Sequence, residues 1–145
     1  MATKVVDLRH RLYKKGDLWL LNGRLIPSAG RSYEHEEFAQ EGYALTLTRN
    51  GTVEACMGLI PVEDGIELWS APSVRLVEEH MLEYCRLVMK LVKAAREYRD
   101  DIVVHVWEDD KKTQRWLSWL GFEDRGARKD GGIVMLNMGG GENGY

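Results

Sequence analysis

The chain has few of the sequence features that indicate secretion, membrane insertion or metal binding. Its two cysteines, Cys56 and Cys85, are isolated and show no metal-ligand spacing, so no metal site is expected. No apolar run approaches the ~20 residues of a membrane span. The first residues also lack the apolar core of a signal peptide. The expectation is a cytoplasmic protein with no membrane partner.

Neither sign of charge dominates. The 20 basic and 23 acidic side chains give a net charge of −3, which argues against a nucleic acid partner. There is no Walker loop and no nucleophile elbow. The length of 145 residues suggests one domain, predicted to cover residues 1–138, followed by a glycine-rich flexible tail at 139–145.

The centre of the chain has the pattern of an antiparallel meander. Three segments rich in β-formers follow one another: Tyr43–Arg49, Thr52–Ile60 and Ile66–Ser70. Asn50 and Gly51 separate the first two and are the strongest short hairpin signal, because both central residues of a type I′ turn need positive φ. Pro61 is expected to end the second strand, and Asp64 with Gly65 to form the next turn.

A long amphipathic helix is predicted next. Apolar residues recur at three- and four-residue steps from Val74 to Tyr98, which predicts one helix from about Ser73 to Arg99. The apolar, β-branched run Ile102–Trp107 is typical of an interior strand. A helix between two strands suits a crossover to a parallel neighbour. The sheet is therefore expected to be mixed.

The C-terminal part predicts one more helix and two strands. The helix covers Lys111–Leu120 and ends at Gly121, the position where a left-handed conformation is needed. The strands Phe122–Asp124 and Ile133–Asn137 flank a polar loop at Arg125–Gly132. Residues 1–40 are less readable: the segment from Val5 to Leu8 suits a strand or a helix, and Tyr33–Gln40 one or two helical turns.

A strand at Ile102–Trp107 and a helix ending in Leu120-Gly121-Phe122 resemble the C-terminal half of the GNAT family, the acyl-CoA-dependent N-acetyltransferases. The resemblance covers roughly Tyr43 to Met138. It implies an α/β fold, α+β in some schemes: a mixed sheet with an antiparallel meander, a long central helix and flanking helices. In this family the sheet splays beside the third meander strand, and acetyl-CoA inserts there.

The resemblance also implies a set of cofactor-binding residues. The strand edge that would pair with the pantetheine arm consists of Leu68, Trp69, Ser70 and Ala71; the phosphates would lie near Ser73, Val74 and Arg75; and Asp110 stands where the family tends to carry an Asn. The family's glycine-rich phosphate loop is absent, and Pro72 lacks an N–H donor. The alternative is that Ser73 merely caps the helix and Arg75 is solvated.

Catalysis is implied only in part. Glu67 stands where the family commonly carries its general base, although an outward-facing strand position is the alternative. The Tyr that acts as general acid in the family is replaced by Leu117, whose side chain cannot donate a proton. Trp116 and Trp119 are expected to be core or interface anchors, and His105 a buried, hydrogen-bonded side chain.

The departures resemble small internal-virion proteins of short-tailed bacteriophages, a group with a degenerate GNAT fold. The segments that carry this resemblance are Leu68-Trp69-Ser70, His105-Val106-Trp107 and Arg115-Trp116-Leu117. Two hypotheses follow. The chain transfers an acetyl group from acetyl-CoA to a small-molecule or protein amine, or it is an inactive phage-encoded protein that binds a protein partner, with the virion as a further location. Fold alone does not choose between them.

Overall fold

The computed structural model describes residues 7–27, 42–63, 65–98 and 101–137. The described strands form one mixed sheet of seven strands in the order β1-β2-β3-β4-β5-β7-β6. The elements are β1 (Leu8–Leu12), a 3-10 helix (Trp19–Leu21), β2 (Tyr43–Arg49), β3 (Thr52–Val62), β4 (Gly65–Pro72), α1 (Val74–Glu79), α2 (Met81–Arg96), β5 (Ile102–Trp107), α3 (Lys111–Trp119), β6 (Glu123–Lys129) and β7 (Gly132–Asn137). The predicted α/β class and mixed sheet are confirmed.

The described residues fall into two compact units. The first takes in Met1–Gly58 and Ser70–Tyr84, and the second takes in Leu59–Trp69 and Cys85–Tyr145. A single domain over residues 1–138 stays a prediction. The expected helical turns at 33–40 and the tail at 139–145 lie outside the described residues.

The first unit is built around the predicted hairpin. Asn50 and Gly51 both have positive φ, 50° and 82°, as a type I′ turn requires, so the hairpin of β2 and β3 is confirmed. β1 pairs antiparallel with β2 from Leu8↔Arg49 to Leu12↔Leu45, which assigns the ambiguous N-terminal segment to a strand. The central strand β3 is buried from Val53 to Gly58.

The expected single long helix is wrong in one respect: it is interrupted at His80. This residue has φ −137° and ψ 37°, outside the helical region, and separates α1 from α2. The His80 amide still donates to Leu76 O (2.8 Å), and the Tyr84 amide donates to His80 O (3.1 Å). Because these i→i−4 bonds persist, the helical spacing of apolar residues continues across His80. The sequence pattern therefore does not reveal the break.

Two other boundaries differ from expectation. β3 continues through Pro61 to Val62, which a strand tolerates where the proline position donates no ladder bond. The segment Arg125–Gly132, expected to be a loop, belongs mostly to β6 and its turn with β7. Every residue of β6 is exposed, so this edge strand has no apolar alternation to mark it. Asp130 and Gly131, with φ 49° and 79°, form the turn.

The second unit contains the predicted C-terminal elements. β5 pairs parallel with β4 and antiparallel with β7, which confirms the crossover. Gly121 has φ 99°. The Phe122 amide donates to Leu117 O (2.9 Å) and the Gly121 amide to Ser118 O (3.1 Å), the two bonds of a Schellman motif. None of the described helices is both long and apolar enough to cross a bilayer.

Two tryptophans on α3 differ in burial. Trp116 is half-buried, and its Nε1–H donates to the Sγ of the buried Cys85 (3.1 Å). Trp119 is 70% exposed and so is not part of the core. His105 on β5 is half-buried, and its Nε2 lies 2.8 Å from Lys129 O, in line with the hydrogen-bonded histidine expected there.

Candidate functional site

The junction between β4 and α1 is where the sequence predicts a phosphate site. Ser73 is the N-cap of α1 and is 1% exposed. Its Oγ accepts the Leu76 amide (3.0 Å) and donates to Glu54 Oε1 (2.8 Å). The hydroxyl that was predicted to bind phosphate therefore already has a donor and an acceptor within the protein.

The backbone amides at this junction are also occupied. The Ser73 amide donates to Glu54 O (2.8 Å), and the Val74 amide donates to Arg24 O (2.9 Å). Counted with the Leu76 amide, three of the four amides from Ser73 to Leu76 donate within the protein. An anion site at a helix start depends on such amides being free.

A short segment after the 3-10 helix lies across the same junction. Leu25 forms an antiparallel bridge with Ser73. The Ile26 amide donates to Pro72 O (3.1 Å), and Arg24 supplies the carbonyl that the Val74 amide needs. We call Arg24–Ile26 the strap. Its backbone forms hydrogen bonds with residues on both sides of the β4–α1 boundary.

Glu54 is the polar centre beneath this junction. Its side chain is fully buried. Its Oε2 accepts from Arg49 Nε and Nη2, both at 2.9 Å, and its Oε1 accepts from Ser73 and from Arg24 Nη1 (3.3 Å). A buried carboxylate needs such partners because an unpaired charge is costly to desolvate. Glu54 therefore links β2, β3, the strap and the start of α1.

A cavity of about 490 Å³ lies at this cluster. Its lining residues are Gly23, Arg24, Arg49, Thr52, Glu54, Ser73, Val74, Arg75, Glu78 and Glu79. Arg75 on its exposed rim is paired with Glu79 (Nε to Oε2, 2.8 Å). The cavity thus brings together three of the predicted phosphate-binding residues, but it also contains three carboxylates.

The other predicted strand-edge residues follow one another along β4. Leu68, Trp69 and Ala71 are buried at 3%, 5% and 0% exposure. Ser70 is half-buried, and its hydroxyl makes a short hydrogen bond with the Tyr84 hydroxyl. The β4–β5 ladder consists of two pairs at the starts of both strands, Ile66↔Ile102 and Glu67↔Val103.

Glu67, Asp110 and Leu117 belong to the second unit. Glu67 is half-buried in register with Val103. Asp110 is the N-cap of α3, with Oδ1 accepting the Thr113 amide (3.1 Å), while its buried Oδ2 has no hydrogen-bond partner among the described residues. Leu117, at the position of the family's acid, is 1% exposed. The assignments of Glu67 and Asp110 to catalysis and cofactor binding stay predictions.

Sequence reasoning missed Arg24, Arg49 and Glu54. A signal for Glu54 is present: it is a lone carboxylate inside the apolar strand Val53–Ile60, and a buried Glu is rare unless it is paired. The identity of its partners carries no such signal, because they come from separate parts of the chain. No group of three or more His, Cys, Asp or Glu that would hold a metal ion occurs among the described residues.

Comparison with solved structures decides the fold. An IAA acetyltransferase from Bacillus cereus superposes with a TM-score of 0.64 at 15% identity, over 90% of this chain and 97% of that one. The fold is that of the GNAT acetyltransferases. No family profile matches the chain. No curated protein matches it in sequence.

Two other structures with the GNAT fold contain the cofactor. One is a GNAT family acetyltransferase from Elizabethkingia anophelis with acetyl-CoA bound, with a TM-score of 0.62, 13% identity and coverage of 90% of this chain and 97% of that one. The other is an acetyltransferase from Bacillus subtilis in complex with CoA, with a TM-score of 0.62, 16% identity and the same two coverages. At these identities the likeness concerns the fold.

Proposed function

We propose that this chain is a GNAT-fold protein that acts by binding a protein partner and not by acetyl transfer. The observation that carries the proposal is the occupied junction between β4 and α1. There the Val74 amide is bonded to the strap, and the Ser73 hydroxyl is bonded to Glu54. These donors do not fit the diphosphate of coenzyme A, because each already has an acceptor inside the protein.

Two further features support a non-catalytic role. Arg75 is paired with Glu79, so its charge is partly compensated within α1. Leu117 fills the place of the family's acid with a buried apolar side chain. Exposed tryptophans suit a protein-binding role, since Trp is enriched at interfaces; Trp19 is 74% exposed and Trp119 is 70% exposed. A phage virion as the setting belongs to this proposal and rests on the resemblance of the segments quoted above.

A second candidate is acetyl transfer from acetyl-CoA to an amine, with Glu67 as the base. It is favoured by the short β4–β5 ladder, which ends at Glu67↔Val103. A ladder restricted to the strand starts is in keeping with the splay that the family uses for its cofactor. Glu67 lies in the last pair of that ladder and is half-buried.

Calorimetry and a thiol-release assay separate the two candidates. The full chain is titrated with CoA to millimolar concentration, then incubated with acetyl-CoA and a panel of polyamines, aminoglycosides and peptide N-termini. The proposal expects no binding heat and no thiol release above the uncatalysed background. Turnover that disappears in Glu67→Gln but persists in Glu83→Gln, an exposed control on α2, would overturn it in favour of the second candidate.

If CoA does bind, a further variant locates its phosphates. Arg75→Ala should weaken the affinity in a salt-dependent way if the phosphates lie at the start of α1, because a guanidinium–phosphate contact is charge-assisted. An unchanged affinity would place the phosphates elsewhere on the protein.

A further inference from the structure

The cavity at the Glu54 cluster has a floor that carries excess positive charge. Glu54 and Ser73 are 0% and 1% exposed, and the side chain of Arg49 is 16% exposed. Arg24 and Arg49 contribute two cations to this floor, and Glu54 contributes one anion. The Arg24 side chain is 39% exposed, and one positive charge of the floor is left without a counterion among the described residues.

The floor also has unused hydrogen-bond donors. Arg49 uses its Nε and Nη2 for Glu54, and none of the described residues accepts from its Nη1. Arg24 uses Nη1 for Glu54 and Nη2 for the carbonyls of Leu20 (2.9 Å) and Val53 (2.7 Å), and no acceptor for its Nε occurs among the described residues. A carboxylate matches these guanidinium donors in charge and accepts hydrogen bonds from them.

The rim of the cavity carries excess negative charge. Val74, Arg75, Glu78 and Glu79 are exposed there. Arg75 and Glu79 neutralise each other through their ion pair. The side chain of Glu78 forms no ion pair or hydrogen bond with any described residue, so it leaves one uncompensated negative charge at the rim.

We propose that this cavity binds a small zwitterion of the amino-acid class. The ligand's carboxylate lies on the Arg24–Arg49 floor, and its ammonium group lies near Glu78 on the rim. A simple anion would meet repulsion from Glu78, and a simple cation would meet repulsion from the floor. The volume of about 490 Å³ lies within the roughly 300–1,000 Å³ of small-molecule sites. The site does not depend on whether the chain transfers acetyl groups.

The test begins with the full chain in the absence of acetyl-CoA. Thermal shift with the common amino acids at 10 mM identifies the best ligand, and calorimetry then compares it with its N-acetyl and carboxamide derivatives. We expect each derivative, which lacks one of the two charges, to bind at least about tenfold more weakly. No shift with any amino acid, or equal affinity for the N-acetyl derivative, overturns the proposal.

Variants then assign the two ends of the ligand. Glu78→Gln should weaken binding of the amino acid about three- to tenfold and leave the residual affinity of its N-acetyl derivative unchanged. Glu83→Gln is the matched control, exposed and outside the cavity, and should change nothing. Arg49→Lys tests the floor. Because Arg49 also contacts Glu54, the folding of this variant is checked by circular dichroism. Unaltered affinity in Glu78→Gln removes the rim from the site and overturns the proposal.

Discussion

Removal of the Glu54 charge is the most informative perturbation of this fold. In Glu54→Gln the side chain keeps its size, but the guanidinium groups of Arg24 and Arg49 lose their only anionic partner among the described residues. Gln still accepts a hydrogen bond, so the Ser73 contact is retained in part. The variant therefore isolates the ionic contribution of a carboxylate that is 0% exposed.

The expected loss follows from the burial of the partners. Breaking a fully buried ion pair by removing one member costs about 3–5 kcal/mol, because the other charge stays buried and unpaired. Here the side chain of Arg49 is 16% exposed and that of Arg24 is 39% exposed, so water stabilises part of the remaining charge. We expect a loss of about 2–4 kcal/mol in the free energy of unfolding. At roughly 3 °C per kcal/mol, the Tm should fall by about 6–12 °C.

Urea denaturation followed by circular dichroism measures the loss, with thermal melts as a second readout. The double variant Glu54→Met with Arg49→Met is the control for charge. It removes most of the cluster's charge together, and such replacements are often neutral or stabilising, so it should be more stable than Glu54→Gln alone. A loss below about 1 kcal/mol in Glu54→Gln, close to the range of surface changes, would refute the reasoning.

Two other predictions concern the packing of each unit. In the first unit, burial raises the pKa of Asp17, but hydrogen bonds from Arg11, Thr46 and the Lys14 amide outweigh it and hold the pKa below its usual value. The stability that Asp17 contributes is therefore present above the unfolded-state pKa of about 3.9 and is lost as pH falls through the folded-state value. The difference in unfolding free energy between wild type and Asp17→Asn should shrink from pH 7 to pH 3, and an equal difference at both pH values would contradict this. In the second unit, Trp116→Ala should cost about 2–4 kcal/mol, because the half-buried ring and its bond to Cys85 Sγ are lost. Trp119→Ala, at 70% exposure, should stay within about 0.5 kcal/mol of wild type in the same denaturation assay; similar losses in both variants would show that burial does not separate them.

Much of the fold is predictable from local pattern. The Asn50-Gly51 hairpin, the strand Ile102–Trp107 and the Gly121 helix end were correctly predicted because each depends on neighbouring residues only: two positive φ angles, a β-branched run, a left-handed cap. The errors have physical reasons too. β6 is an exposed edge strand without alternation, and the break at His80 leaves the helical spacing intact.

The sequence by itself determined the order of the strands and helices from β2 to β7 apart from the break at His80, the Asn50-Gly51 turn, the helix end at Gly121, and the presence of a lone carboxylate in an apolar strand. Only the tertiary structure decided which acceptors the hydrogen-bond donors of the candidate site have. The carbonyl of Arg24 takes the amide of Val74, and Glu54 takes the hydroxyl of Ser73. These partners are far apart in the chain, and no local propensity links them. They meet because the sheet places β3 beside β4 and because a buried polar group must find a partner wherever the fold supplies one.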